Sequence, residues 1–472
     1  MSGTVCRVIA ATLLWSAAFY HSVYAQADGE YGIEHSAADI LAVQDDTKAV
    51  GRASNRAIDR PSATLTAHID AKGEDVGTLL YEVWTTNPQV TRALSELDAG
   101  SFDVKAARTG YYPFAQVDAA QGEQGRSAVT ASIVQPLWDG GVTAAEIREA
   151  KANQSGSLYE LYRTRLELGL QTAEAFFNAR FAEEQAGHWQ AYIARLESLL
   201  GVIERRADKG VSPSVDVETA VTRLRQAQAG AEANQSVLAS ARSRLRSLLN
   251  REPGRLTWPA GDIILPEGAI SLLNEHGVPP THPERQRALA EVAAQEARAD
   301  RARASIWPEI SVQHSRRFLQ EEGDLTPDTV TQLVLQYQTN NGLQAYRGAQ
   351  AEQQRLLAAQ DSLAATEREI ANRIREARVA RDSARRQFEA QAESAEAADL
   401  LVESFFRQFK VGRKAWVEVL NAQREAHDAR LQVTTAKRDF WFENARLALE
   451  GMLWEKLSPR ISPLYNERDR LE

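Results

Sequence analysis

The sequence predicts a mainly α-helical chain that carries four short β-strands and repeats one plan twice. Three observations lead there. Asn87-Pro88 opens an Ala-rich helical stretch that closes at Tyr112-Pro113, and His282-Pro283 with Trp307-Pro308 repeats the arrangement at the same spacing. After each closing proline come two short segments with strand-like alternation. Each strand pair is then followed by Ala-, Leu-, Glu-, Arg- and Gln-rich sequence far too long for a helix of an ordinary globular domain. Equivalent glycines, Gly210 and Gly412, interrupt the long stretches at matching points. Internal duplication explains these coincidences better than chance periodicity does.

The elements follow in order. Residues 1–25 resemble a secretory signal: Arg7 gives the positive end, Val8–Phe19 is mostly apolar, and Val23-Tyr24-Ala25 has the small residues a signal peptidase needs. The apolar run is shorter than the ~20 residues wanted to cross a bilayer. Cys6 lies inside this segment, so the mature chain is expected to carry no cysteine and no thiolate chemistry. Residues 26–73 are polar, without periodicity, and read as a poorly ordered N-terminus.

The first repeat spans 74–253: a helix, strands at about 113–121 and 127–137, a rod over 142–209, then a helix over 214–249. Lys209-Gly210-Val211-Ser212-Pro213 breaks the two rods apart. Residues 254–280, rich in proline, read as a crossover packed outside the rods. The second repeat spans 281–457, with strands at about 309–319 and 329–338 and helices over 343–410 and 414–454; 458–472 is a polar tail. Pro327 is assigned to the turn between the last two strands.

Apolar positions on the rods are sparse and often alanine: Ala220, Leu224 and Ala227 on one, Val419, Ala422 and Ala426 on another. Such narrow seams suit helices laid side by side around a wide wall, each with two neighbours and one wet face. Regular a/d pairs of large branched residues, which a dimeric coiled coil needs, do not persist. The strand segments approach the 9–11 residues of a tilted transmembrane strand. In the last, Leu333, Leu335 and Tyr337 alternate with Gln332, Gln336 and Gln338, as lipid outside and water inside require. Tyr111, Tyr112, Phe114, Trp138, Trp307 and Phe318 are candidates for aromatic girdles. Four strands cannot close an aqueous barrel, so chains must share it; three would give twelve strands.

Chemistry is sparse. The net charge of -9 disfavours nucleic acid as a partner. The eight histidines, among them His188, His314 and His427, lack metal-ligand spacing and read as satisfied or solvent-facing. Asp139-Gly140-Gly141 lacks the Lys-Ser/Thr of a phosphate loop and reads as a strand-to-helix turn. No cofactor, metal or catalytic residue is expected.

The chain resembles the TolC family of outer-membrane factors over roughly residues 75–457. The resemblance rests on the Asn87-Pro88 start, Gly110-Tyr111-Tyr112-Pro113, Gln135-Pro136-Leu137-Trp138-Asp139-Gly140-Gly141, and the turn Gly412-Arg413-Lys414 before Glu418-Val419-Leu420-Asn421-Ala422-Gln423. It implies a homotrimer in the outer membrane, with a twelve-stranded barrel, four strands per chain, continuous with a long periplasmic α-helical barrel. It also implies a periplasmic adaptor and an inner-membrane exporter or efflux transporter as partners, with exported protein or small molecules as cargo.

By the same resemblance, Pro113, Pro136, Asp139, Gly141, Pro308 and Gly342 mark barrel-to-helix junctions. Gly210, Val211 and Ser212, with Val411, Gly412 and Arg413, form the adaptor-docking tips. Glu418 and Asn421 occupy pore-constricting positions, Asn421 replacing an acidic residue, and Lys414 matches a basic residue that holds the mouth closed through a neighbouring helix. The second-half junction, Gln336-Tyr337-Gln338-Thr339-Asn340-Asn341-Gly342-Leu343, departs from the common pattern and resembles members that export large surface adhesins with an ATP-binding-cassette exporter. Drug or small-molecule efflux is the alternative expectation. A periplasmic helical adaptor or structural rod is the alternative of a different class.

Overall fold

Alternating helix caps and proline breaks set the element order of the chain, seen in a computed structural model that describes residues 73–121, 127–259, 265, 277–321, 324–337 and 344–457. The expected signal, the N-terminus to residue 72, the C-terminal tail and Gly342 lie outside the described residues.

Helix α1 (Val76–Thr86) is capped by Asp75, whose Oδ1 accepts from the Thr78 amide at 2.7 Å. Asn87 then ends one helix and starts the next. Its amide donates to the Val83 carbonyl, and its Oδ1 accepts from the Gln89 amide at 2.9 Å. Helix α2 (Pro88–Arg108) follows with proline in its first turn, where a missing N–H costs nothing. The sequence reading began its first helix at Asn87-Pro88. The separate α1 was hidden because Val76–Trp84 buries almost all round and so shows little polar face.

Strands β1 (Phe114–Gln121) and β2 (Ser127–Trp138) lead into α3 (Val142–Asp208), of 67 residues. Helix α4 (Ser214–Leu249) runs back. In the second half, α5 (Pro283–Ala304), β3 (Glu309–Glu321) and β4 (Asp324–Gln336) precede α6 (Gln344–Lys410) and α7 (Trp416–Glu450). Helix α6 also has 67 residues, so each long rod measures about 100 Å.

Two boundaries differ from the sequence reading. Strand β4 begins at Asp324, and Pro327 sits inside it opposite Phe318 rather than in the turn. Proline stands there three residues from the turn end of β4. Helix α7 starts at Trp416 and stops at Glu450, after which Gly451 and Met452 (φ 58°) turn the chain into a short 3₁₀ helix at Trp454–Lys456.

The four strands form one antiparallel sheet in the order β1-β2-β3-β4, leaving β1 and β4 as edges. The helices pack as antiparallel neighbours, α3 on α4 and α6 on α7, with α2 and α5 against α3 and α5 also against α6. Alanine seams do this work: Ala220, Ala227, Ala422 and Ala426 are buried, as are Ala290, Ala294 and Ala297 of α5. Close approach goes furthest at Gly230 of α4, where any Cβ would meet the Trp189 ring of α3 at 2.3 Å.

A denser core gathers around α1. Trp84 and Trp454 lie 4.7 Å apart, centroid to centroid, and Gly169 of α3 leaves room for Trp84. Glu74, 2% exposed, accepts from the Gly254 amide and pairs with Arg251, which also grips Glu82 at 2.6 Å. The described start of the crossover is pinned likewise, by Trp258 stacked on Phe177 and donating to Glu184.

Between α3 and α7 lies an aromatic sandwich the sequence did not announce. His427 is buried, not solvent-facing; it stacks on Tyr192 at 4.2 Å and abuts Trp189 at 4.3 Å, and its Nε2 has no hydrogen-bond partner among the described residues. Burial, reinforced by His188 and Arg430, holds its pKa down at about 4. A histidine depressed in the fold gives stability that is complete above the unfolded value near 6.5 and is lost as pH falls toward about 4. His427→Phe should therefore flatten the acid side of the stability profile, read by denaturant unfolding at pH 7 and pH 4.5. The wild-type loss over the full shift amounts to about 3 kcal/mol per chain at most. An unaltered acid slope in the variant would remove His427 as its source.

Candidate functional site: a two-faced sheet and paired helix tips

Strand register sorts the sheet into two faces. Ala115 pairs with Ile133, Val117 with Ala131, Val129 with Phe318, and Val312 with Leu333, so these share one apolar face. Gln116 pairs with Ser132, Asp118 with Thr130, Ser132 with Ser315, and Gln313 with Gln332, giving a polar opposite face. A sheet that is apolar on one side and polar on the other suits lipid outside and water inside. Trp138, Trp307, Tyr111, Tyr112 and Tyr337 are all exposed at the helix end of the sheet, where an aromatic girdle belongs.

The junctions between sheet and helices are built from caps. Pro113 precedes β1, and the Gln135 side chain of β2 reaches back to the Tyr111 carbonyl at 3.0 Å. A bulge between Pro136 and Trp138 turns the strand end. Asp139 then spends both carboxylate oxygens on the amides of Gly141 and Thr143, at 2.9 and 2.6 Å, which caps α3 and leaves no anion-binding role. Gly140 (φ 71°) cannot carry a side chain, because a Cβ would stand 2.7 Å from the Ala304 carbonyl oxygen. Pro308 joins Trp307 to β3 in the second repeat.

The opposite end of the rods carries two matching turns. After α3, the Gly210 amide donates to Ala207 O and the Val211 amide to Arg206 O, both at 2.8 Å; after α6, Gly412 donates to Phe409 O and Arg413 to Gln408 O. Both are Schellman closures with a left-handed glycine, φ 69° at Gly210 and 75° at Gly412. The turns are tied together: Trp416 donates to the Asp216 carbonyl at 3.2 Å, Phe409 packs on Trp416, and the Arg206 guanidinium lies 4.9 Å over Phe409. Arg206 also donates to Ser212. Arg206, Phe409 and Trp416 were not singled out from sequence, although the run Phe405, Phe406, Phe409, Trp416 beside a glycine turn was a visible sign. Val211 and Val411 remain exposed at the turns.

Lys414 and Glu418, assigned separate roles from sequence, form one unit. Lys414 Nζ lies 2.6 Å from Glu418 Oε1, within a single helix start rather than across to a neighbouring helix. Glu418 Oε2 accepts the Ala415 amide at 2.9 Å, capping α7, while Lys414 also rests 4.4 Å over the Phe405 ring of α6. The Lys414 ammonium and then the Ala415 amide hold the Glu418 carboxyl below the usual range. Asn421 lies one turn along, half-buried.

A profile of the family described as Outer membrane efflux protein matches residues 79–251 and 281–452, one copy on each repeat. The chain belongs to that family. It is accordingly an outer-membrane channel with a periplasmic helical tunnel, and a transport duct rather than an enzyme. Channels of this family are homotrimers that work with periplasmic adaptors and inner-membrane transporters.

Solved structures agree on the fold. A crystal structure of CusC superposes with TM-score 0.69 at 15% identity, covering 80% of this chain and 91% of that one. The CmeC channel of Campylobacter jejuni gives 0.66 at 14%, covering 80% and 86%. The open-state MtrE channel of Neisseria gonorrhoeae gives 0.65 at 17%, covering 80% and 88%. No curated protein matches the sequence.

The tip geometry makes a stability prediction. Gly412→Val should cost about 1–2 kcal/mol from the left-handed backbone alone, since nothing lies within 4 Å of a Cβ there. Hydrogen exchange should accelerate around the turn while the core near Trp84 keeps its protection; uniform protection would contradict the cap.

Proposed function

We propose that the chain is the outer-membrane exit duct of a tripartite export machine, with the paired helix tips as its adaptor-docking end. The observation that carries this reading is the placement of a two-faced sheet at one end of 67-residue rods and of paired, exposed-valine turns at the other. The Gly210–Ser212 and Val411–Arg413 turns then present Val211 and Val411 to the adaptor. Exposed apolar groups at a rigid tip are what a helical partner buries first.

In this reading Glu418 lines the narrow mouth, and Asn421 leaves the ring of charge thinner than a second carboxylate would. Three Glu418 side chains around one axis attract cations and hydrate the constriction. Lys414 neutralises part of that charge in the closed mouth, so opening involves releasing the Lys414–Glu418 pair. Glu418→Ala should lower cation preference in planar-bilayer recordings, and Lys414→Ala should raise closed-state conductance. Unchanged selectivity in the first variant would take Glu418 off the pore wall.

For cargo, we infer export of a large surface adhesin with an ATP-binding-cassette exporter, supported by the Asn340-Asn341-Gly342 junction of the second repeat. Small-molecule efflux is the second reading, favoured by the description of the matching family. Deleting the gene divides them: loss of one high-molecular-weight surface protein with unchanged drug susceptibility supports the adhesin, and the reverse supports efflux.

A further inference from the structure

The apolar face of the sheet has one charged interruption. Arg316 of β3 pairs with Ala131 on one side and Thr329 on the other, and it shares the face of Val312 and Phe318. It is exposed, and no carboxylate of the described residues lies within ion-pair distance of it. Its neighbour Arg317 points to the polar, water-lined face. Arg316 stands nine positions beyond Trp307, about 21 Å up a tilted strand from that girdle, and so in the far half of an apolar band about 25 Å tall.

The guanidinium does not lie flat against the hydrocarbon. It rests 5.1 Å over the ring of Phe318, two residues nearer the far end of the strand. A long cationic side chain that leans this way carries its charge out of the apolar layer toward the headgroups. The exposed Thr329 opposite offers a hydroxyl, and the adjacent rung is polar too, with His314 Nδ1 2.7 Å from Thr331 Oγ1. A fixed fork of N–H donors on the lipid-facing side of the sheet, with Thr329 at the paired position and no ion pair to it among the described residues, matches a phosphate.

We propose that Arg316 and Thr329 form a binding site for the phosphate of an anionic lipid in the leaflet farther from the helices. Acyl chains of the lipid lie along Val312 and Leu333, on the bilayer-centre side of Arg316, and the phosphate accepts from the guanidinium. The inference rests on the orientation of the sheet in the membrane and is independent of the cargo.

The test is native mass spectrometry of the full-length protein in mild detergent, titrated with dioleoyl phosphatidic acid or dioleoyl phosphatidylcholine. Wild type should retain the phosphomonoester lipid at least fivefold better than the zwitterionic one. Arg316→Gln should abolish that preference, Arg316→Lys should keep part of it, and Arg317→Gln should leave it intact. Inorganic phosphate at equal concentration should not displace the lipid, which separates a lipid site from a free-anion site. Equal retention of the two lipids by wild type overturns the proposal whatever the variants do. Equal loss from Arg316→Gln and Arg317→Gln, or displacement by inorganic phosphate, overturns it as well.

Discussion

Backbone hydrogen bonding in lipid governs this architecture. A four-stranded sheet with free edges at β1 and β4 leaves a column of N–H and C=O groups unpaired on each side. Water satisfies such groups cheaply, and hydrocarbon does not. The apolar face formed by Ala115, Val117, Val129 and Leu333 therefore has meaning only in a closed assembly, which channels of this family form as homotrimers. Everything on the helical side follows from that closure. Once copies stand in a ring, the rods emerging from each sheet must also stand in a ring, and small side chains at their contacts let adjacent backbones come close.

Much of this was legible in the chain because the cues are local. Asn87-Pro88, Tyr112-Pro113, Gly210 and Gly412 act on their own backbone, so their positions alone predict breaks and caps. Strand faces were legible for the same reason: a period of two needs no knowledge of neighbours, and Leu333, Leu335 and Tyr337 announced it. What escaped depends on partners distant in sequence. His427 reads as an ordinary polar helix residue until Trp189 and Tyr192 close over it from α3. Helix α1 shows little polar face because Val76–Trp84 is enclosed on most sides. Pro327 signals a turn by its type, and only its pairing with the distant Phe318 shows that the strand has already begun.

The tip shows how a candidate site is reinterpreted once side chains have positions. Sequence offered Lys414 and Glu418 as residues of different duty, while their spacing of four across a helix start brings them into one ion pair. Because Glu418 also caps Ala415, its carboxylate is engaged in local order as well as in whatever field it projects. The ion pair and the cap of the helix start thus share one carboxylate. A further coupling runs through Phe405, which carries the Lys414 ammonium on its face and links α6 to α7 at the point where they part.

Over the described residues α3 and α6 each run for 67 residues to the paired turns, and that match has a further consequence. A barrel cooper must cut staves to one length, and the same holds for a wall made of duplicated segments. An insertion in one rod alone would leave its turn overhanging the other and pull Trp416 away from Asp216. Such a tube can be lengthened or shortened only by matched edits in both halves, which makes its span across the periplasm a property inherited in pairs.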